Sequence, residues 1–144
     1  MRVADILKRK GALVATVPPN ARVSDAVTAL HERGIGAVVV SDDGKAIDGI
    51  LSERDIVRAL HRTGAEVLDH AIAEIMTSNV VTCAAEDRVD AMMSLMTENR
   101  IRHLPVAADG RLVGIISIGD VVASRVAELE NETRAMEEYI QHGR

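Results

Sequence analysis

Two short segments of the chain place a serine three residues before an aspartate, directly after an apolar stretch. They contain Ser52 and Asp55 in one case and Ser117 and Asp120 in the other. A serine followed by an acid at this spacing is typical of a helix N-terminus, where the two side chains accept backbone N–H groups. Helix N-termini also favour anions, and a carboxylate there can accept two hydrogen bonds from a ribose cis-diol. The pattern alone leaves both interpretations open.

Basic residues near the second segment favour the binding interpretation. Residues 100–103 (Arg-Ile-Arg-His) precede an apolar run and would bring two guanidinium groups and an imidazole to the junction of Ser117 and Asp120. The equivalent residues of the first half, 34–37, read Gly-Ile-Gly-Ala, so the charge there comes only from Arg54. We therefore expect the two sites to differ and the second to be better equipped for phosphate. A solvated helix end is the alternative for the two arginines.

The segments belong to an internal repeat. Gly49 to Val57 reads GILSERDIV, and Gly114 to Val122 reads GIISIGDVV. A repeat of this length indicates one structural unit that cannot bury its apolar face alone, so that two copies must share a core. Two copies predict a body with approximate twofold symmetry.

Apolar periodicity and turn residues predict the same order of elements in each copy: strand, helix, strand, strand, helix. The predicted elements are a leading helix 3–9, strand 14–17, helix 24–33, strands 35–40 and 47–51, and helix 52–62, then strand 80–83, helix 90–99, strands 101–106 and 112–116, and a helix from 117. The predicted fold class is α+β, with two pseudo-symmetric β-α-β-β-α units. We divide the chain into residues 1–68, 69–127 and a helical extension, 128–144.

The last helix is predicted to run well beyond its counterpart in the first unit. Its apolar residues follow a heptad-like spacing: Val122, Val126, Leu129, Met136 and Ile140. Such a seam packs either on its own chain or on a second copy, and an overhanging helix favours a homodimer.

Composition excludes several classes of protein. The apolar fraction of 47% supports a core, which aliphatic residues must fill because Phe and Trp are absent. No apolar run is long enough to span a membrane, and the charged N-terminus is unlike a secretory signal. A single cysteine, Cys83, forms no internal disulfide, so we expect a cytoplasmic protein.

Other chemistry is sparse in the sequence. The net charge of −5 and the single aromatic residue argue against a nucleic-acid partner. The five histidines lack metal-ligand spacing, and there is no glycine-rich phosphate loop. No nucleophile, base and orienting acid form a recognisable pattern, so we expect neither an enzyme nor a metal site.

The chain resembles the CBS domain family, as a freestanding tandem pair (a Bateman module). The resemblance is carried by the paired Gly-Ile-x-Ser-x-x-Asp segments, the Ile-x-x-Leu-Pro-Val strand from Ile101 to Val106, and the Ile-Met pair at Ile75 and Met76. It covers the chain to about residue 127. It implies two clefts between the units, dimers packed as a flat disc, and regulation of an unknown protein target in trans.

The resemblance also implies an adenosine-containing regulatory ligand: AMP, ADP or ATP, with NAD(H) or S-adenosylmethionine as alternatives. No other cofactor is required. Carried over by position, Asp55 and Asp120 would bind ribose hydroxyls, and Ser52 and Ser117 ribose or phosphate. Further implied contacts are the first-strand residues Thr16 and Thr82, the phosphate-side residues Arg102 and His103, and the adenine-side residues Leu104, Pro105 and Val106, or Val38 and Val39.

Two other classes of function stay open. A nucleotide-processing enzyme would have only His103 and the two aspartates for acid–base chemistry. A purely structural dimer would use both Ser-x-x-Asp segments only as helix caps.

Overall fold

The computed structural model describes residues 1–142, and its elements alternate between helices and strands in the predicted order. The first half contains α1 (Val3–Lys10), β1 (Thr16–Val17), α2 (Val23–Arg33), β2 (Ala37–Val40), β3 (Gly49–Ser52) and α3 (Glu53–Thr63). Two 3₁₀ turns follow, Ala65–Asp69 and Ile72–Glu74. The second half contains α4 (Val89–Asn99), β4 (His103–Ala108), β5 (Arg111–Ser117) and α5 (Ile118–His142). The predicted α+β class, with two related units and an extended C-terminal helix, is confirmed.

The first unit is built on a three-stranded sheet with β2 in the centre. β1 pairs with β2 in parallel, and β3 pairs with β2 antiparallel, with Val38 opposite Leu51. All four residues of β2 are buried. A strand covered on both faces reads as a continuous apolar run, which is why this strand was recognisable in the sequence.

The second unit has a two-stranded sheet of β4 and β5, and its predicted first strand is reduced to a single bridge. Cys83 donates to the carbonyl of Pro105 and accepts from the N–H of Ala107, at 3.0 and 2.9 Å. A longer parallel pairing would need an N–H at position 105, which proline lacks. Burial raises the pKa of the Cys83 thiol to about 12, so this side chain packs as a neutral group.

Helices α2 and α4 occupy equivalent places in the two units, and each is followed by a residue with left-handed backbone conformation. Gly34 has φ 61° and ψ 40° at the end of α2, and Arg100 has φ 53° and ψ 45° at the end of α4. Glycine is the usual residue at this C-terminal position because it lacks a Cβ. In the second unit, an arginine with a long, charged side chain adopts the same backbone conformation.

The two halves exchange their leading segments. Val3 and Ile6 of α1 are buried in the core of the second unit, whereas Ile72, Ile75 and Met76 pack in the core of the first. Residues 4–7 (Ala-Asp-Ile-Leu) and 73–76 (Ala-Glu-Ile-Met) repeat the same pattern. This repeat has a structural cause, because each segment covers the sheet of the other half. The two cores do not follow a simple cut of the chain at residue 68.

Matching backbone hydrogen bonds hold the two exchanged segments. Val3 donates to the carbonyl of Asp87 at 2.9 Å, and Ile72 donates to the carbonyl of Ala21 at 2.8 Å. Arg2 also forms an antiparallel bridge with Arg88, as Ala71 does with Arg22. The approximate twofold symmetry therefore extends to the connections between the units.

Helix α5 packs on its own chain only over its first turns. Val121 and Ser124 are buried, but the seam residues further along are open, with Leu129 45% and Ile140 73% exposed. None of residues 1–142 covers this seam. Within residues 1–142, no helix combines the length and apolar character needed to cross a bilayer.

The glycine that opens each Gly-Ile-x-Ser segment lies directly under an exchanged segment. A Cβ at Gly49 would lie 2.6 Å from the Met76 sulfur and 2.9 Å from the backbone oxygen of Thr77. A Cβ at Gly114 would meet only the side chain of Leu7, with its Cδ2 at 2.6 Å. The close approach of the covering segment thus requires glycine at both positions.

We expect Gly49→Ala to lower the free energy of unfolding by about 1–3 kcal/mol, the usual cost of overpacking. Gly114→Ala should cost less, because the end of the Leu7 side chain can move whereas the Thr77 carbonyl is held by Ile50. Urea denaturation of both variants measures the difference. Equal losses, or the reverse order, would contradict this account.

Candidate functional site

Two cavities lie between the units, with volumes of about 420 and 360 Å³. The first cavity is lined by Gly36, Ile50, Ser52, Glu53, Arg54, Asp55, Arg58, Thr77, Asn79, Val80, Val81, Asn99, Arg100, Ile101, Arg102 and His103. The second cavity is lined by Lys10, Leu13, Val14, Ala15, Arg33, Gly34, Ile35, Gly36, Ala37, His103, Ile115, Ile116 and Ser117.

Each cavity is composite. It takes a Ser-x-x-Asp segment from one unit, and the start of the first strand and the helix-to-strand turn from the other. Val80 and Val81 line the first cavity where the equivalent Val14 and Ala15 line the second. This arrangement follows from the exchanged packing, which turns the two sheets toward each other.

In the first cavity, Ser52 and Asp55 form a complete helix cap. One carboxylate oxygen of Asp55 accepts hydrogen bonds from the N–H and the hydroxyl of Ser52 at 2.9 and 3.0 Å. The Asp55 N–H donates to the Ser52 hydroxyl at 3.3 Å. The other carboxylate oxygen accepts only from the Thr77 hydroxyl, at 3.3 Å. Within residues 1–142, no other group donates to this oxygen.

The Asp120 carboxylate is engaged differently, by an ammonium group. One of its oxygens accepts from the Ser117 N–H at 2.8 Å and from Lys10 Nζ at 2.7 Å. Lys10 also donates to the carbonyl of Ile115 at 3.1 Å. In the first unit, Thr77 forms the corresponding two hydrogen bonds. Its hydroxyl donates to the Asp55 carboxylate, and its N–H donates to the carbonyl of Ile50. Lys10 therefore replaces a neutral residue with a cation.

This ion pair changes the acidity of Asp120. Burial raises the pKa of the carboxyl, but the Lys10 ammonium and the Ser117 N–H outweigh that effect and hold the pKa below its ordinary value. Asp120 is thus a stable anion whose charge is largely compensated by Lys10. The other oxygen of this carboxylate accepts no hydrogen bond from residues 1–142.

His103 lies between the two cavities and lines both of them. A Cβ built on Gly36 would lie 3.2 Å from its Cε1 atom, so the imidazole packs on the backbone of the opposite unit. Burial is the main cause that lowers the pKa of His103; the carboxylates of Glu53 and Asp120 oppose it, and the cations Lys10 and Arg102 act in the same direction as burial. The imidazole is therefore neutral at pH 7.

The site residues inferred from the sequence fall into two groups. Those that line a cavity are Ser52, Arg54, Asp55, Arg102, His103 and Ser117, with Asp120 bound to the cavity residue Lys10. Those outside the lining are Thr16, Thr82, Val38, Val39, Leu104, Pro105 and Val106. Val38 belongs to the first core and Leu104 and Val106 to the second, whereas Thr82 is exposed. Ligand contact by any of these residues stays a prediction.

The structure corrects the expected pairing of the basic residues with the second Ser-x-x-Asp segment. Arg100 and Arg102 line the first cavity, together with Asp55. The second cavity receives the equivalent glycines, Gly34 and Gly36. The sequence associates these arginines with Ser117 and Asp120 because they lie in the same half of the chain. It could not show that each cavity is lined by the helix-to-strand turn of the other unit. The first cavity, not the second, holds the larger number of cations.

Several cavity residues were not identified from the sequence, including Lys10, Arg33, Arg58 and Thr77. The repeat between residues 4–7 and 73–76 was the available signal for Lys10 and Thr77, since both follow it closely. Nothing in the sequence near Arg58 distinguishes it from a solvated helix residue.

Comparison with known proteins identifies the repeats. A family model described as CBS domain matches residues 3–62 and 72–126. The curated protein "CBS domain-containing protein CBSX3, mitochondrial" of Arabidopsis thaliana is 36% identical over 151 residues, which cover 98% of this chain and 72% of that protein.

Solved structures share the fold. A CBS-domain containing protein from Agrobacterium tumefaciens is 48% identical with a TM-score of 0.84, over 87% of this chain and 99% of that one. A CBS domain protein from Pyrobaculum aerophilum complexed with AMP is 31% identical (TM-score 0.78, 92% and 99% covered). The CBS domain pair of protein MJ0100, in complex with 5-methylthioadenosine and S-adenosyl-L-methionine, is 28% identical (TM-score 0.78, 89% and 98% covered).

Replacing Lys10 by methionine keeps the apolar stem of the side chain and removes the ammonium. We expect the pKa of Asp120 to rise in Lys10→Met, because burial is then opposed mainly by Ser117. A carboxyl with a lowered folded-state pKa stabilises the fold above its unfolded pKa and loses that contribution as pH falls through the folded pKa. The stability lost in the variant should thus be constant above about pH 5 and shrink below about pH 4.

Carbon NMR titration of the aspartate carboxyls and urea denaturation at several pH values measure both effects. Lys8→Met is the matched control, since Lys8 lies exposed on the same helix. An unchanged Asp120 titration in Lys10→Met would show that the ion pair does not persist in solution.

Proposed function

The chain belongs to the CBS domain family, and we propose that it is a regulatory module that binds adenosine-containing ligands between its repeats. It acts as a homodimer on a partner protein in trans. AMP, ADP and ATP are the first candidates as ligands, and NAD(H) and S-adenosylmethionine, which carry the same adenosine group, are the alternatives.

The composite first cavity is the observation that carries this proposal. Its volume of about 420 Å³ falls in the range of small-molecule sites. Its lining includes four apolar side chains, those of Ile50, Val80, Val81 and Ile101, which suit contact with a purine ring. A ribose also needs a hydrogen-bond acceptor. The Asp55 oxygen that accepts only from Thr77 within residues 1–142 can serve as that acceptor.

The solved relatives support an adenosine ligand. One is complexed with AMP, and another with 5-methylthioadenosine and S-adenosyl-L-methionine. These ligands differ in what is attached to the ribose, but each contains adenosine. The common group agrees with a cavity that combines an apolar wall with a carboxylate.

We propose a binding role and no catalytic one. Within residues 1–142, the His103 imidazole forms no hydrogen bond with Ser52, Ser117 or either aspartate. General acid–base catalysis needs such groups within hydrogen-bond reach of each other or of the substrate. In each aspartate, one carboxylate oxygen accepts the serine N–H of the helix cap. The other oxygen is the one that we propose for ribose binding.

A purely structural dimer is the second candidate, because both Ser-x-x-Asp segments do form helix caps. Capping and ribose binding use different lone pairs of the same carboxylate and do not exclude each other. The two candidates differ in what a ligand does to stability, since a ligand that binds only the folded state stabilises it in proportion to its occupancy.

Homodimerisation is supported by the apolar faces that the chain leaves uncovered. Val57 on α3 and its repeat equivalent Val122 on α5 are 64% and 44% exposed. The seam continues through Leu129 and Met136.

An intracellular compartment remains a prediction from the sequence, as does the action on a regulated protein.

Calorimetric titration with AMP, ATP, S-adenosylmethionine and NADH tests the binding proposal. We expect at least one ligand to bind in the micromolar range and to raise the melting temperature. Asp55→Ala should abolish the ligand-dependent rise in melting temperature, in addition to a loss of about 1 kcal/mol from the helix cap. If none of the four binds protein confirmed to be ligand-free, or if Asp55→Ala lowers stability equally with and without ligand, the structural candidate is favoured.

Light scattering after gel filtration tests the dimer. We expect Leu129→Arg to shift the mass from two chains to one at micromolar concentration, because a charge would be buried in the seam. Asn131→Arg is the matched control, since Asn131 lies on the opposite face of α5 and adds the same charge. A monomeric wild type, or an equal effect of both variants, would contradict a seam-mediated dimer.

A further inference from the structure

We infer that the first cavity is specific for nucleoside polyphosphates and that Arg100 determines this specificity. The inference rests on the proposed function, because it assumes that the ribose lies against Asp55. Beyond that function, it states that the first cavity binds the more highly charged nucleotides and that Arg100 distinguishes them from nucleoside monophosphates.

The charge of the first cavity points to a polyanion. Four guanidinium groups line it, those of Arg54, Arg58, Arg100 and Arg102, against the two carboxylates of Glu53 and Asp55. None of them forms an ion pair with the carboxylates of residues 1–142, and the only hydrogen bond among them runs from Arg54 to the carbonyl of Arg100. Like charges crowded in one cavity repel each other, so an anion that contacts several of them removes an unfavourable interaction as well as forming new ones.

The second cavity lacks this charge. Its cations are Lys10 and Arg33, and Lys10 is already paired with Asp120 at 2.7 Å. At the two positions equivalent to Arg100 and Arg102, it has Gly34 and Gly36. The first cavity therefore holds four cations that form no ion pair within residues 1–142, and the second holds two, of which one is paired.

The backbone of Arg100 gives a second, independent indication. Arg100 adopts φ 53°, and it is one of two non-glycine residues with positive φ in the described chain. Its repeat equivalent is Gly34, the residue type that adopts this conformation without strain. A strained conformation that persists at a cavity is a recognised sign of function. Glycine would serve the helix end better, so the guanidinium at this position is explained by the cavity and not by the fold.

Arginine is also suited to the ligand class. Its planar guanidinium forms paired hydrogen bonds with phosphate oxygens. A nucleoside whose ribose contacts Asp55 would carry its phosphates within the same cavity as the arginines. A longer phosphate chain meets more of these cations, so affinity should rise from AMP to ADP to ATP.

Titration calorimetry of the full chain with AMP, ADP and ATP, at fixed ionic strength and without divalent cations, tests the inference. The wild type should bind ATP at least about tenfold more tightly than AMP, since one charge-assisted hydrogen bond supplies that factor. Arg100→Gly should remove most of this preference, so that the ratio of the ATP affinity to the AMP affinity falls toward one. The same variant should melt at a temperature equal to or a few degrees above that of the wild type, because it relieves the left-handed strain.

Arg111→Ala is the control, since it removes one exposed positive charge outside both cavities and should leave the ATP preference intact. Equal binding of AMP and ATP by the wild type would overturn the inference while leaving the proposed function in place. So would an equal loss of affinity for all three nucleotides in Arg100→Gly, or a lower melting temperature of that variant. If no nucleotide binds the wild type, the proposed function fails, and this inference fails with it.

Discussion

The exchange of two short segments is the constraint on which the rest of the structure depends. Each unit leaves one side of its core open, and the segment that covers it comes from the other unit: α1 for the second core and residues 72–76 for the first. Because neither core is complete without the other half, the units cannot separate without exposing apolar side chains such as Ile6 and Ile72. The cavities between them are therefore fixed features of the fold.

Composite cavities explain how a nearly symmetric fold forms two different sites. Each site combines a Ser-x-x-Asp segment with a turn of the opposite unit, so a change in one turn alters the charge of the cavity across the symmetry axis. The turn with Arg100 and Arg102 faces Asp55, and the turn with Gly34 and Gly36 faces Ser117. A duplicated fold can thus keep one scaffold while its two sites acquire separate ligand preferences.

In the Ser-x-x-Asp segments, the residues that form the helix caps are also those for which we propose ligand binding. The cap requires the carboxylate to accept N–H groups at the start of a helix, as Asp55 and Asp120 both do. The cap leaves one oxygen of each carboxylate outside it. At Asp55 that oxygen accepts from the Thr77 hydroxyl, whereas at Asp120 Lys10 binds the same oxygen that accepts the Ser117 N–H. A binding group held by a cap is preorganised, so little conformational entropy is lost when a ligand arrives.

The sequence by itself determined the elements and their order, because apolar periodicity, the left-handed turn after α2 and the repeated motif are local signals. It also identified Ser52, Asp55 and Arg102 as candidate site residues. It failed where the outcome depended on contacts between distant residues: it joined Arg102 to the wrong segment and did not identify Lys10 as the partner of Asp120. Only the tertiary structure decided these pairings, because the exchange of covering segments brings the turn of one unit to the motif of the other, and no local pattern records which half a segment will cover.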